Sequence, residues 1–221
     1  MQNLKFFPYI MSAFVAVLLI SNIASTKIAN FWVFAFDAGT LLFPLSYIFN
    51  DILTEVYGYR LSRKVIWAGF VAVAFASVYF WAVGLMPPAV GWENQAAYDA
   101  ILGIVPRIVL ASLIAYFAGE FTNSFVLAKM KLWTKGRHLW ARTIGSTVAG
   151  QLVDTALFAA IAFFGEIPME LFIALVVSNY VFKVGLEVIL TPVTYKVVNF
   201  LKAREGTDVF DSKTNFSPFK F

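Results

Sequence analysis

A chain of 221 residues with 60% hydrophobic and 14% charged positions departs from soluble domains, which carry about 45–50% apolar and about 25% charged residues. Its mean hydropathy of +0.76 fits a multi-pass membrane protein instead. The lack of cysteine and the single histidine, His138, exclude disulfides, thiolate centres and multi-histidine metal sites, and the net charge of +4 does not imply nucleic acid, because the basic residues flank the apolar runs.

Six segments reach the roughly 20 mainly apolar residues that a spanning helix needs: Pro8–Ile28, Gly39–Tyr57, Val65–Met86, Ile104–Ala128, Thr143–Gly165 and Leu171–Val198. The first continues into Ser21, Asn22 and Lys27 with no clear cleavage signal, so it reads as a retained helix and not a secretory leader. The second is the weakest, because its C-terminal half carries Asn50, Asp51, Thr54 and Glu55. The third has no charged residue after Lys64. Between the third and fourth, Pro87–Gly103 reads as a connecting loop, or as a short surface or re-entrant helix that lids an outer cavity. The sixth is long enough to tilt or to project from the membrane. The tail after Lys202 is polar with scattered Phe and is expected to lie along one membrane face.

Charge sets the orientation. Lys5, Arg60, Arg63, Lys64, Lys129, Lys131, Lys135, Arg137, Arg142, Lys196, Lys202, Arg204, Lys213 and Lys220 fall on one side, 14 of the 17 Lys and Arg residues. Asp37, Glu93, Asp99, Glu166 and Glu170 fall on the other, with Lys27 and Arg107 expected to snorkel outward there. The expectation is therefore an all-α integral membrane protein, one six-helix domain over 1–221, with both termini cytoplasmic. No cofactor is expected.

Within the spans lie Asn22, Asn50, Asp51, Glu55, Glu120, Asn123, Gln151, Asp154, Asn179, Lys183 and Glu187. A charge at the bilayer centre costs roughly 2.5–3.5 kcal/mol on insertion scales. Spacings of three or four put Asp51 with Glu55, Glu120 with Asn123, Gln151 with Asp154, and Asn179 with Lys183 and Glu187 on single helix faces. Such stripes are cheapest if they meet in one interior cavity. Simpler roles exist for several of them. Asn22, Asn50 and Asn123 can serve interhelical hydrogen bonding alone, Lys183 and Glu187 can pair within their helix, and Glu55 can pair with Arg60 and Arg63. His138 is read as solvated. A cavity of acids and amides beside 24 Phe, 9 Tyr and 6 Trp suits a planar heterocycle whose N–H edge meets a carboxylate.

The stretch LFPLSYIFNDILTEVYGYRLSRKVIW (42–67) resembles the signature of the queuosine precursor transporter family, formerly the vitamin uptake transporter family. SNIASTKIA, GSTVAGQLVDTALF, YVFKVGLEVILTPVTYKVV and YKVVNFLKAREGTDVFD are similar to its other recurring blocks, and together they cover about Leu18 to Asp211. The resemblance implies a bacterial inner-membrane importer of 7-cyano-7-deazaguanine or its aminomethyl relative, for salvage into queuosine of tRNA. It also implies a fold similar to the substrate-binding subunits of energy-coupling-factor transporters. The implied partners are a 7-deazaguanine nucleobase and the lipid bilayer, with a homodimer as one option. In this reading Asp154 or Glu120 takes the N–H edge, and Asn22, Asn50, Gln151 and Asn179 orient the ring. Lys183 compensates charge or meets the carbonyl oxygen, while Asp51 and Glu55 bind or gate. Two other classes remain open. One is a membrane substrate-binding subunit for a vitamin or other nucleobase, served by a separate energising partner. The other is an intramembrane enzyme, disfavoured by the lack of Cys, by a lone His in a loop and by the lack of HExxH spacing; no GxxxxGK(S/T) loop is present, so any ATP use falls to a partner.

Overall fold

The computed structural model describes residues 4–31, 34–103, 106–165 and 168–220; Glu166, expected on the outer side, lies outside them, as does the side chain of Arg107. The described residues form seven helices: α1 (Phe7–Ala24), α2 (Phe43–Tyr57), α3 (Tyr59–Gly84), α4 (Gln95–Leu102), α5 (Pro106–Trp133), α6 (Leu139–Phe163) and α7 (Met169–Glu205). An antiparallel hairpin of β1 (Ile28–Phe31) and β2 (Phe34–Asp37) and a single 3-10 turn (Ala38–Leu41) join α1 to α2. The apolar pattern did not foretell the hairpin, since its strands IANF and FAFD do not alternate apolar with polar residues.

Among the described residues, five helices are long and apolar enough to cross a membrane: α1, α3, α5, α6 and α7. The expected second span is shorter, a 15-residue α2. Twelve of those residues are buried, because α2 lies against α1, α3, α5 and α7. That enclosure explains why a weakly apolar sequence forms a central helix: its polar residues meet other helices, not lipid. Prolines 8 and 44 sit in the first turns of α1 and α2, where a missing N–H is harmless. The 37-residue α7 would extend about 55 Å at 1.5 Å per residue, well beyond a hydrocarbon core of about 30 Å.

Two glycines set the packing. Gly58, with φ of 83°, turns the chain between α2 and α3, and a Cβ there would strike Val209. Gly150 lets α6 approach α5 so closely that a Cβ would lie 3.0 Å from the Gly119 carbonyl oxygen and the Tyr47 ring.

The loop after α3 holds a short helix, α4, with no buried residue, packed on α3. The tail, expected to lie on a face, is docked on α3 and α5. Asp211 accepts a hydrogen bond from the Tyr59 N–H at 2.9 Å, satisfying an orphan donor at the start of α3. Trp67 Nε1 donates to the Pro218 carbonyl at 2.9 Å. Phe216 packs on Tyr59 and Phe125, and Phe219 on Trp67 and Phe117. At the same end of the bundle Glu205, the last residue of α7, accepts from the backbone N–H groups of Lys5 and Phe6 and from the Tyr57 hydroxyl. The bundle thus has a tail end, where both ends of the chain meet, and a hairpin end.

Candidate functional site

The polar residues do not converge on one cavity. They form separate groups along the bundle axis. Towards the hairpin end a cavity with about 120 Å³ open to water lies between α1, α2, α5, α6 and α7. Of the eleven sequence-derived candidates, Asn22, Asp154, Asn179 and Lys183 line it, together with the aromatic residues Phe43, Tyr116 and Phe158. Asp154 Oδ2 accepts from Lys183 Nζ at 2.8 Å, and both side chains are largely buried. Lys183 Nζ also lies 4.7 Å from the centre of the Phe43 ring, a cation–π distance. Lys183 therefore pairs across helices with Asp154 and not within α7 with Glu187. The Asn22 amide donates to the Leu18 carbonyl one turn earlier at 2.8 Å, which leaves its oxygen turned to other partners. No residue of the α4 loop lines the cavity, so no lid arises from it among the described residues. Lys27 is exposed beyond the end of α1.

The next layer ties α2 to α3 and α5. Asn50 donates to Glu120 Oε2 at 2.5 Å and to the Glu120 carbonyl at 3.1 Å. Ser46 donates to Glu120 Oε1 at 3.1 Å. The Asn50 oxygen accepts from Ser124 at 2.8 Å and also from Ser62, and Thr54 donates to Ser124 at 3.2 Å. Glu120 and Asn50 are fully buried, and neither borders the cavity. Beside them Asp51 Oδ1 accepts from Asn123 at 2.6 Å and from Ser146 at 3.4 Å. Gln151 and Glu187 are buried nearby on α6 and α7, and their polar side-chain atoms have no hydrogen-bond partner.

Nearest the tail, Glu55 gathers cations from three helices. Its Oε1 accepts from Arg142 at 2.8 Å and Lys202 at 2.6 Å and lies 3.5 Å from Lys131. Asp208 bridges Lys131 and Lys202. Burial acts to raise the Asp208 carboxyl, but hydrogen bonds and charge from the two lysines outweigh it and hold the group below its ordinary range. The expected pairing of Glu55 with Arg60 and Arg63 does not form. Arg60 is exposed, and Arg63 donates to the Asn215 and Ser217 carbonyls at 3.0 and 2.7 Å. The reason is helical phase: Gly58 redirects the chain, so residues five and eight positions on belong to α3 and face the tail. His138 is exposed at the start of α6, as read. Sequence reasoning assigned Arg142, Lys131 and Lys202 to orientation only. The available signal was that they stand on helices and not in loops.

A multi-pass helical bundle with a polar, aromatic-walled cavity between its helices is the architecture of a membrane transporter. Residues 37–197 match the family model described as putative vitamin uptake transporter, and the chain belongs to this queuosine precursor transporter family. It is 29% identical over 176 residues to a probable queuosine precursor transporter of Bacillus subtilis (strain 168), covering 79% of this chain and 77% of the relative. It is 28% identical over 179 residues to a probable queuosine precursor transporter of Haemophilus influenzae, covering 77% and 71%. The queuosine precursor transporter of Escherichia coli (strain K12) is 25% identical over 154 residues, covering 68% and 67%. No solved structure matches the chain significantly.

Proposed function

We propose that this transporter imports a 7-deazaguanine queuosine precursor across a bacterial cytoplasmic membrane and binds the base in the hairpin-side cavity. The single observation that carries the reading is the Asp154–Lys183 pair at the wall of a cavity that also holds Asn22, Asn179 and three aromatic rings. Asp154 accepts the N1–H and N2–H edge, and Lys183 donates to the ring carbonyl. Asn22 and Asn179 fix the in-plane orientation, and Phe43, Tyr116 or Phe158 stacks on the face of the base. The relatives' names support the substrate class.

In this reading the chain crosses the membrane six times, α2 being the enclosed second crossing. The tail end, with 14 of the 17 Lys and Arg residues near it, faces the cytoplasm. The cavity then opens on the outer half, and the Glu55 cluster closes the inner half. Alternating access moves the helices around the site.

The test is uptake of labelled 7-cyano-7-deazaguanine. Asp154→Asn is expected to abolish uptake at unchanged membrane levels, and normal uptake by this variant would sink the assignment. Uptake by the purified chain alone in liposomes separates a self-sufficient carrier from a subunit that needs an energising partner.

A further inference from the structure

Outside the cavity, the centre of the bundle holds a group of oxygens that the binding site does not use. Glu187 is 1% exposed and neither carboxylate oxygen has a hydrogen-bond partner. Gln151 is fully buried with both its amide nitrogen and oxygen unpartnered. Asp51 Oδ2, Asn123 Oδ1 and Thr147 Oγ1 are likewise unpartnered and buried. More than about 90% of buried polar groups find partners in folded proteins, so five side chains in one region are a concentration that packing does not explain.

The helix register brings Gln151 and Glu187 together. α6 and α7 run antiparallel, fixed at the Asp154–Lys183 contact and again by the bond from the Trp140 N–H to the Tyr195 hydroxyl at 2.8 Å. Gln151, three residues before Asp154, therefore stands opposite Glu187, four residues after Lys183. From α2, Asp51 lies close enough to Glu187 for the two charges to act on each other. The surrounding charges are otherwise committed. Lys183 is bonded to Asp154, and Arg142, Lys131 and Lys202 converge on Glu55. Glu120, from α5, is bonded to Ser46 and Asn50, and Tyr47, from α2, adds a buried hydroxyl. Two buried carboxylates thus lie within reach of each other's charge, with no basic partner among the described residues.

We propose that Asp51, Gln151 and Glu187 hold a monovalent cation, a proton or a sodium ion, whose occupancy is linked to that of the neighbouring cavity. The proposal rests on the transport reading above only for that link. A divalent ion needs more hard ligands than the group offers, because one oxygen of Asp51 already accepts from Asn123 and Ser146. Among the described residues no set of three or more strong metal ligands exists. A proton is shared between the carboxyls, whereas sodium takes the carboxylate and amide oxygens as hard ligands. The link is short. Gln151 and Glu187 each lie one helical turn from a member of the Asp154–Lys183 pair. Neutralising the lower site therefore changes the field on the pair that meets the base.

The experiment needs no transported solute for its first arms. Purified protein is melted in NaCl and in KCl at equal ionic strength, and its protonated-carboxyl infrared band is followed across pH. Wild type is expected to respond in one arm: a higher melting temperature in sodium, or a carboxyl band that titrates. Glu187→Gln is expected to abolish the sodium response or to remove its component from the titrating carboxyl band, and Gln151→Leu to abolish the sodium response or to move the pH at which that component titrates. Gln151→Leu also guards against misfolding, since replacing an unpaired buried amide by an apolar group leaves stability in KCl equal or higher. A wild type silent in both arms, or a response that survives in both variants, overturns the site. With 7-cyano-7-deazaguanine as probe, the responding cation is expected to shift affinity about tenfold in wild type and not in Glu187→Gln. An unchanged wild-type affinity overturns the link. Failure of wild type to bind the base while the cation response persists counts against the substrate reading and leaves the cation site standing.

Discussion

Asp154 and Glu55 are both carboxylates buried on helices that cross the same bundle, yet their surroundings differ. Asp154 has one cation, Lys183, and borders open space with aromatic walls. Glu55 has Arg142, Lys131 and Lys202 around one oxygen, with Asp208 bridging the two lysines. In the proposed binding mode the hairpin half exchanges partners, because a single ion pair beside a cavity can be reapportioned to a ligand. The tail half is arranged to keep them, because α2, α5, α6 and α7 are held through one carboxylate. Substitutions in the hairpin half are therefore expected to change uptake more than stability, and those in the tail half the reverse.

The largest expected effect breaks the tail half. Glu55→Ala leaves the buried Arg142 and Lys131 and the partly buried Lys202 short of an anion, and removing one partner of a buried pair costs about 3–5 kcal/mol. Loss of folded protein in detergent, read by size-exclusion chromatography, checks this; wild-type yield would show that the cluster is not structural. Next, Gly150→Val forces a branched side chain into the Gly119 carbonyl and Tyr47, an overpacking cost of about 1–3 kcal/mol. Because that crossing lies between the two halves, both stability and uptake are expected to fall. Asp211→Ala removes the acceptor for the Tyr59 N–H and is expected to lower stability by about 1 kcal/mol, by analogy with loss of a helix cap, with uptake preserved.

The smallest effect concerns Asp208. Its carboxyl is held low by Lys131 and Lys202 against the opposing effect of burial. A lowered carboxyl contributes stability above its ordinary value of about 3.9, and loses that contribution as pH falls through the lowered value. Asp208→Asn is thus expected to flatten the stability loss below about pH 4, by under about 1 kcal/mol because the side chain is half exposed. Thermal scans across that range read the difference.

Much of this comparison was legible in the chain. The 3.6-residue spacing put Asp154 with Gln151, and Lys183 with Glu187, on inward faces, and long apolar runs marked α1, α3, α5, α6 and α7. Spacing says nothing of which faces meet. Lys183 pairs with Asp154 across helices because α6 and α7 share a register that no local pattern encodes. The stripes therefore seemed to demand one cavity, whereas the helices divide them into a cavity, a hydrogen-bonded layer and an ion cluster. The partners of Glu55 were hidden for the same reason: they come 76 to 147 residues later. The tail's attachment was not legible, because several of its anchors are backbone carbonyls, which every sequence possesses.

The enclosure of α2 has a consequence for biosynthesis. A 15-residue helix bearing Asn50, Asp51 and Glu55 leaves the ribosome before every helix that satisfies those side chains. Glu120, Asn123, Arg142 and Lys202 are translated 70 to 147 residues afterwards. Stable integration of the second helix is therefore expected late in the life of the nascent chain, when α7 arrives and Glu205 closes on the backbone N–H groups of Lys5 and Phe6.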